Sequence, residues 1–296
     1  MYSDFLININ QIIEENGLEE TSNILSRFAG NRPFFALDSG ITCNDIWERS
    51  KKILQCIEAI EDEDKQRILK SAIHFSAGIM PDYDSVENRF SLVEDLENTI
   101  KDFKNSNDPF ATRLIAIGPC GVDHDWESVE YEGRIHDYFD TQTIREEKDL
   151  FALQLTLGKK LDIPCIIHSR RGFSETADVL KAVKWNKGVV HGFAYSQSEL
   201  EFFLNLGWYI SFCGTVTYSG KKNFQDMIDA VNYVPKDRII IETDSPYYAP
   251  IPLKCVRNEP LYVNYIYEYI ASKRGVSKHK LSETVDKNIQ KLFGLE

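Results

Sequence analysis

The stretch IPCIIHSRRGFSETADVLKAVKWNKGVVHGF, residues 163–193, decides how this chain is read. It opens on the apolar run Ile163-Pro164-Cys165-Ile166-Ile167 and closes that run on His168-Ser169-Arg170. A helical stretch over 175–184 follows. A second apolar run over 188–191 then also ends on a histidine, His191. Short apolar run, helix, short apolar run is the pattern of two parallel strands joined by a crossover helix. Neither run alternates apolar with polar residues, which suits strands covered on both faces.

The same rhythm extends in both directions. Strand-like runs are read at 34–38, 71–77, 114–117, 208–212 and 238–241, and helical stretches at 45–60, 86–103, 145–161, 198–206 and 224–231. Two further helices, at 261–272 and 278–293, close the chain. Seven such strands in 296 residues favour an α/β fold of the TIM-type (β/α) barrel kind. An open doubly wound sheet is the alternative, but the glycine fingerprint of a dinucleotide fold is absent. In the first thirty residues, Phe5, Ile7, Ile9, Ile12 and Ile13 give a rough apolar helix face. A break falls near Asn16-Gly17, and a second helical stretch runs over 19–28 before Gly30-Asn31-Arg32-Pro33. The expectation is an N-terminal helical extension at 1–30 ahead of a single barrel domain at 31–296. The charge-rich segment EAIEDEDKQRILK, residues 58–70, reads as a solvated surface.

Composition limits the partners. Lys plus Arg is 34 against 46 for Asp plus Glu, a formal charge of -12, which excludes coating of nucleic acid by bulk electrostatics. A local phosphate site built from a metal or a few arginines stays compatible with that charge. No apolar run is long enough to cross a membrane, and the N-terminus lacks the basic and apolar regions of a signal peptide. Cys43, Cys56, Cys120, Cys165, Cys213 and Cys255 are scattered with no C-x-x-C pair, so free thiols and a cytoplasmic location are expected.

In a parallel barrel the chemistry gathers at the carboxyl ends of the strands. The polar residues expected there are Asp38; Asp82; Asp123 and His124; His168, Ser169 and Arg170; His191; Thr215 and Thr217; and Glu242-Thr243-Asp244. His168, His191 and Asp244 stand at three separate strand ends. Two imidazoles and a carboxylate suit a transition metal, or an acid–base site, or three hydrogen-bonded core residues.

At these residues the chain resembles the TatD family of metal-dependent hydrolases. Ile163 to Arg170 is similar to the family's P-x-x-x-H-x-R segment, and His191-Gly192-Phe193 to its H-x-F segment. The strand Gly207-Trp208-Tyr209-Ile210-Ser211-Phe212-Cys213-Gly214 resembles G-x-x-I-S-x-x-G. Glu242-Thr243-Asp244-Ser245-Pro246 resembles the E-T-D-x-P signature, and Arg257-Asn258-Glu259-Pro260 the R-N-E-P that follows it.

The resemblance implies a TIM barrel, metal-assisted hydrolysis of phosphoester bonds, and a phosphorylated small molecule or a DNA end as substrate. It implies a divalent ion (Mn, Zn, Ni or Mg) on His168, His191 and Asp244, with Asp244 as ligand or as general base on the attacking water. Arg170 would clamp a phosphate, or form a structural ion pair instead. Tyr247 and Tyr248 offer a stacking surface or pack their loop.

The first half departs from the family on the chemistry. The family's D-x-H-x-H after strand one is matched here with Asp38-Ser39-Gly40-Ile41-Thr42, so that Gly40 and Thr42 replace two histidines. Its G-x-H-P becomes Gly78-Ile79-Met80-Pro81. Its I-G-E-x-G-L-D becomes Ile117-Gly118-Pro119-Cys120-Gly121-Val122-Asp123, with Pro119 in place of the bridging glutamate. Glycine and proline have no side-chain donor, so at most one metal is expected, with Asp38, Asp82, Asp123, His124 and Asp125 as possible substitute ligands. The two other readings are a catalytically inactive binding or scaffold module on this fold, and a hydrolase of a different ester or amide.

Overall fold

A computed structural model describes residues 1–124, 140–218 and 224–295, with the side chain of Phe224 excepted. Among the described residues the strands are β1 (Asp4–Ile7), β2 (Ala36–Asp38), β3 (Ile73–Ala77), β4 (Leu114–Asp123), β5 (Cys165–Arg170), β6 (Gly188–Val190), β7 (Tyr209–Phe212) and β8 (Ile239–Ile241). They form one parallel sheet in the order β1 to β8 with helices between them, a TIM-type barrel. Ile7 at the end of β1 bridges to Ser245 just beyond β8. The chain divides into two compact units, one of residues 1–39, 47–74 and 192–296, the other of residues 40–46 and 75–191.

The first unit corrects the sequence reading at its start. Residues 1–30 are not a helical extension to a barrel beginning at residue 31. Asp4–Ile7 is a barrel strand, all four residues buried and paired with β2, and only Ile9–Ala29 is helical. The apolar residues Phe5, Ile7 and Ile9 recur every second position, which is the strand period; the helical spacing starts with Ile12 and Ile13. Phe5 stacks on Phe35 of the segment leading into β2 and on Phe293 of the last helix, so burial of this short run fixes it in the sheet. Inside the helix Gly17 takes φ 79°, a conformation open to glycine, where the sequence showed its break.

β1 displaces the count by one. Asp38 therefore closes β2, not the first strand, and the residues following the first strand are Asn8-Ile9-Asn10. Asp38 is fully buried. It receives a hydrogen bond from the Ile9 backbone N–H at 2.8 Å and pairs with Arg49, which projects from the helix Ile46–Glu58 and is 2% exposed. His74 is a core residue: its Nδ1 lies 2.8 Å from the Ala72 carbonyl and its ring stacks on Phe35.

In the second unit β4 is the long central strand. It pairs in register with β5, Gly121 beside His168, Val122 beside Ser169 and Asp123 beside Arg170. A side chain at Gly121 would put its Cβ 1.7 Å from the His168 carbonyl oxygen, so only glycine permits the two strands to approach this closely. β6 pairs with the other edge of β5. The helix Thr141–Leu161 packs on β4; Asp140 caps it by accepting from the Gln142 and Thr143 N–H groups. Gln154 of that helix clamps the segment after β3, exchanging two hydrogen bonds with the Ile79 backbone at 2.8 and 2.9 Å. The cysteines are free thiols, all buried except Cys255.

Candidate active site

The register of β4, β5 and β6 sets three side chains in a line. His168 Nδ1 lies 3.0 Å from His191 Nε2, and His168 Nε2 lies 2.9 Å from Asp123 Oδ2. All three residues are less than 5% exposed. Which ring nitrogen donates in these two contacts depends on the tautomer of His168. Burial, with the nearby Arg170 cation adding to it, pushes the His168 pKa down to about 4, and Asp123 only partly opposes this. His168 is therefore neutral at pH 7, the form in which imidazole binds a metal.

Asp123 is itself held. Its backbone N–H donates to Glu147 Oε1 at 2.9 Å, and the other carboxylate oxygen of Glu147 lies 2.9 Å from His124 Nε2. Glu147 is fully buried on the helix Thr141–Leu161. Its role carried no signal in the sequence, where it is one charged residue in a charged helical run. Arg170, half-buried, donates from Nη1 to the Ser169 carbonyl at 3.1 Å and to the His191 carbonyl at 3.4 Å, so its guanidinium lies across the ends of β5 and β6.

Asp244 stands in the other unit, in a different environment. Its backbone takes φ 55°, and its N–H donates to the Leu6 carbonyl of β1. Its Oδ1 accepts from Asn8 Nδ2 at 3.0 Å. Asn8 also donates to the Ser245 carbonyl at 3.2 Å and accepts from the Ser39 hydroxyl, so both ends of its amide are engaged. Asn10 turns away: its Nδ2 donates to Glu14 on an exposed helix face. Asn8 was missed in the sequence because β1 was read as helix; the alternation of Phe5, Ile7 and Ile9 was the available signal. Glu242, fully buried, accepts from the Gly192 N–H at 2.7 Å. Asn258 fixes the loop after β8 by donating to the Thr243 carbonyl at 3.0 Å. Tyr247 and Tyr248 in that loop have ring centroids 6.4 Å apart, and Tyr247 is 39% exposed.

The substitute ligands go to other tasks. Asp38 pairs with Arg49, Asp82 caps the helix Tyr83–Glu87, Asp123 holds His168, and His124 meets Glu147. Asp125 lies outside the described residues. Gly40 and Thr42 follow β2, which corrects their assignment as replacements at the end of the first strand; Asn8 and Asn10 occupy that place. Pro119, expected beyond a strand ending at Ile117, lies within β4, which runs on to Asp123.

Whether these groups suit a divalent ion is decided separately in each unit. Two nitrogens bound to one ion at about 2.0–2.1 Å sit roughly 3 Å apart when they take neighbouring positions. The Nδ1–Nε2 pair of His168 and His191 has that separation, with the Asp123 carboxylate behind His168, and the unit fits an ion to this extent. The Asn8–Asp244 end does not fit. A neutral amide donor already engages the carboxylate, and Asn8 is a poor metal ligand. Among the described residues no group of three or more His, Cys, Asp or Glu is placed to hold an ion.

The fold and site define the class as a TIM-type barrel with imidazoles and carboxylates at the carboxyl ends of its strands. The model of the TatD related DNase family matches residues 24–294, and the chain belongs to that family. It is 31% identical over 204 residues to the uncharacterized metal-dependent hydrolase YcfH of Escherichia coli (strain K12), covering 65% of this chain and 71% of that one. It is 33% identical over 190 residues to the 3'-5' ssDNA/RNA exonuclease TatD of Rahnella sp. (strain Y9602), covering 62% and 66%. The fold is similar to the crystal structure of YJJV, a TatD homolog from Escherichia coli K12, with a TM-score of 0.76 at 20% identity over 100% of this chain and 98% of that one. No helix among the described residues is long and apolar enough to cross a membrane.

Proposed function

We propose that this chain is a metal-dependent hydrolase of phosphoester bonds that works with one divalent ion on the His168–His191 pair. The observation that carries this reading is the 3.0 Å separation of His168 Nδ1 and His191 Nε2, with Asp123 behind His168. The names of its relatives, metal-dependent hydrolase and ssDNA/RNA exonuclease, support the reaction class and a nucleic-acid end or phosphorylated small molecule as substrate. Bound there, a divalent ion supplies an activated water and neutralises charge on phosphoryl oxygens. His168 presents a neutral imidazole. Arg170 is the proposed clamp for a phosphate oxygen, its guanidinium half-buried and fixed to strand-end carbonyls. Asp244, in the other unit and met by Asn8, is given no part in this proposal.

A second reading, a binding or scaffold module that has lost catalysis, is favoured by the Asn8–Asp244 hydrogen bond and by Pro119. Metal content decides between them. Protein loaded separately with Mn, Zn, Ni and Mg and freed of excess ion should retain about one ion per chain. His168→Ala should lose it, and hydrolysis of a simple phosphodiester should follow the same pattern. No retained ion with any metal, and no turnover, would establish the second reading in place of the first.

A further inference from the structure

We propose that Asp123 is a positioning residue that selects the tautomer of His168, so that Nδ1 is the nitrogen presented toward His191. The inference rests on the metal-site reading only for its functional consequence; the tautomer stands on geometry alone. A histidine has two neutral forms, and which nitrogen carries the proton depends on the partner of the other. His168 has one partner that can only accept, the Asp123 carboxylate at 2.9 Å from Nε2, and one that can donate or accept, His191 Nε2 at 3.0 Å from Nδ1. The fixed acceptor wins. Were Nδ1 protonated instead, Nε2 would aim a lone pair at a carboxylate oxygen in a buried site, and both would be left without a proton between them.

The placement of Asp123 is built from further out. Gly121 lets β4 approach β5 closely enough to set Asp123 in register beside His168's strand end. Glu147 holds the Asp123 backbone N–H at 2.9 Å and, through its second oxygen, the neighbouring His124. The line Glu147, Asp123, His168, His191 thus runs from a buried helix to the imidazole pair, each group fixing the next. A His168 that sampled both tautomers would present a lone pair at Nδ1 for only part of the time, and its affinity for an ion would fall by that fraction.

Nitrogen-15 NMR of the histidine rings in the metal-free full-length protein tests this directly, with His168→Gln used to assign the signals. The wild type should show His168 as a single Nε2–H tautomer. Asp123→Asn, whose amide can either accept or donate, should bring the two ring-nitrogen shifts of His168 closer together and weaken Mn or Zn binding about 10- to 100-fold. A wild-type His168 in the Nδ1–H form overturns the inference whatever the variant does. So does an Asp123→Asn spectrum identical to that of the wild type. Because the tautomer is read without metal, a wild type that shows the Nε2–H form yet holds no ion defeats the metal-site reading and leaves the role of Asp123 standing.

Discussion

The strand ends of the two units treat their polar groups in opposite ways. At β4 to β6, two imidazoles meet nitrogen to nitrogen and a buried carboxylate backs one of them. At β1 and β8, a carboxylate is met by an amide whose own donor and acceptor are both engaged, so the polarity is closed on itself. The first arrangement gathers imidazole nitrogens side by side. The second is satisfied without any ligand. At that end Asn8 gives the buried Asp244 carboxylate a hydrogen bond, so the group is not left without a polar partner.

The largest effect separating the two ends is expected at the imidazole pair. His191→Ala should weaken retention of Mn or Zn by at least about 100-fold, since half of the nitrogen pair is gone; equilibrium dialysis with elemental analysis reads it, and unchanged retention would break the contrast. Next comes the buried ion pair that anchors the β1 and β2 ends. Arg49→Met leaves the fully buried Asp38 without its cation and should cost about 3–5 kcal/mol in urea unfolding. A loss below about 1 kcal/mol would show that Asp38 is neutralised in some other way.

Asn8→Ala sharpens the comparison further. It removes donors from Asp244 and the Ser245 carbonyl and an acceptor from Ser39, for an expected cost of about 1–3 kcal/mol. Ion retention at the histidine pair should not change, and a variant that also loses its ion would show that the two ends are coupled.

The smallest effect is a slope with pH. Burial raises the Asp4 carboxyl well above its ordinary range, with Glu242 and Asp244 adding to the shift and hydrogen bonds from Thr243 opposing it. A raised folded-state pKa means the folded form holds the proton more tightly than the unfolded chain. This group therefore favours folding below about pH 4 and loses that contribution as pH rises through the folded value. Asp4→Asn removes the dependence, so its stability should fall less than that of the wild type between pH 4 and 7; parallel curves would count against a protonated Asp4.

Much of the barrel was legible in the chain because its buried parallel strands are written as unbroken apolar runs. The strand pair around His168 and His191, and the E-T-D segment after β8, carry their polar residues immediately after such runs, where the fold uses them. β1 was not legible. Four residues, DFLI, are too short for periodicity to separate from the helix that follows directly, and only the cost of leaving Phe5 and Ile7 outside the core settles them as a strand. Misreading that strand moved the count by one, and assigned Asp38, Gly40 and Thr42 to a place that Asn8 and Asn10 hold.

The sequence by itself determined the residue types: two histidines and an aspartate at three separate strand ends, a proline where a carboxylate ligand was expected, and no surplus of positive charge. Tertiary structure alone decided their relations. Strand register brings Asp123 to His168 across 45 residues and Asn8 to Asp244 across 236. Hydrogen bonding reaches only about 3 Å, so whether a carboxylate binds a metal, orients an imidazole or answers an amide depends on which strands lie side by side and how far each is shifted along the next.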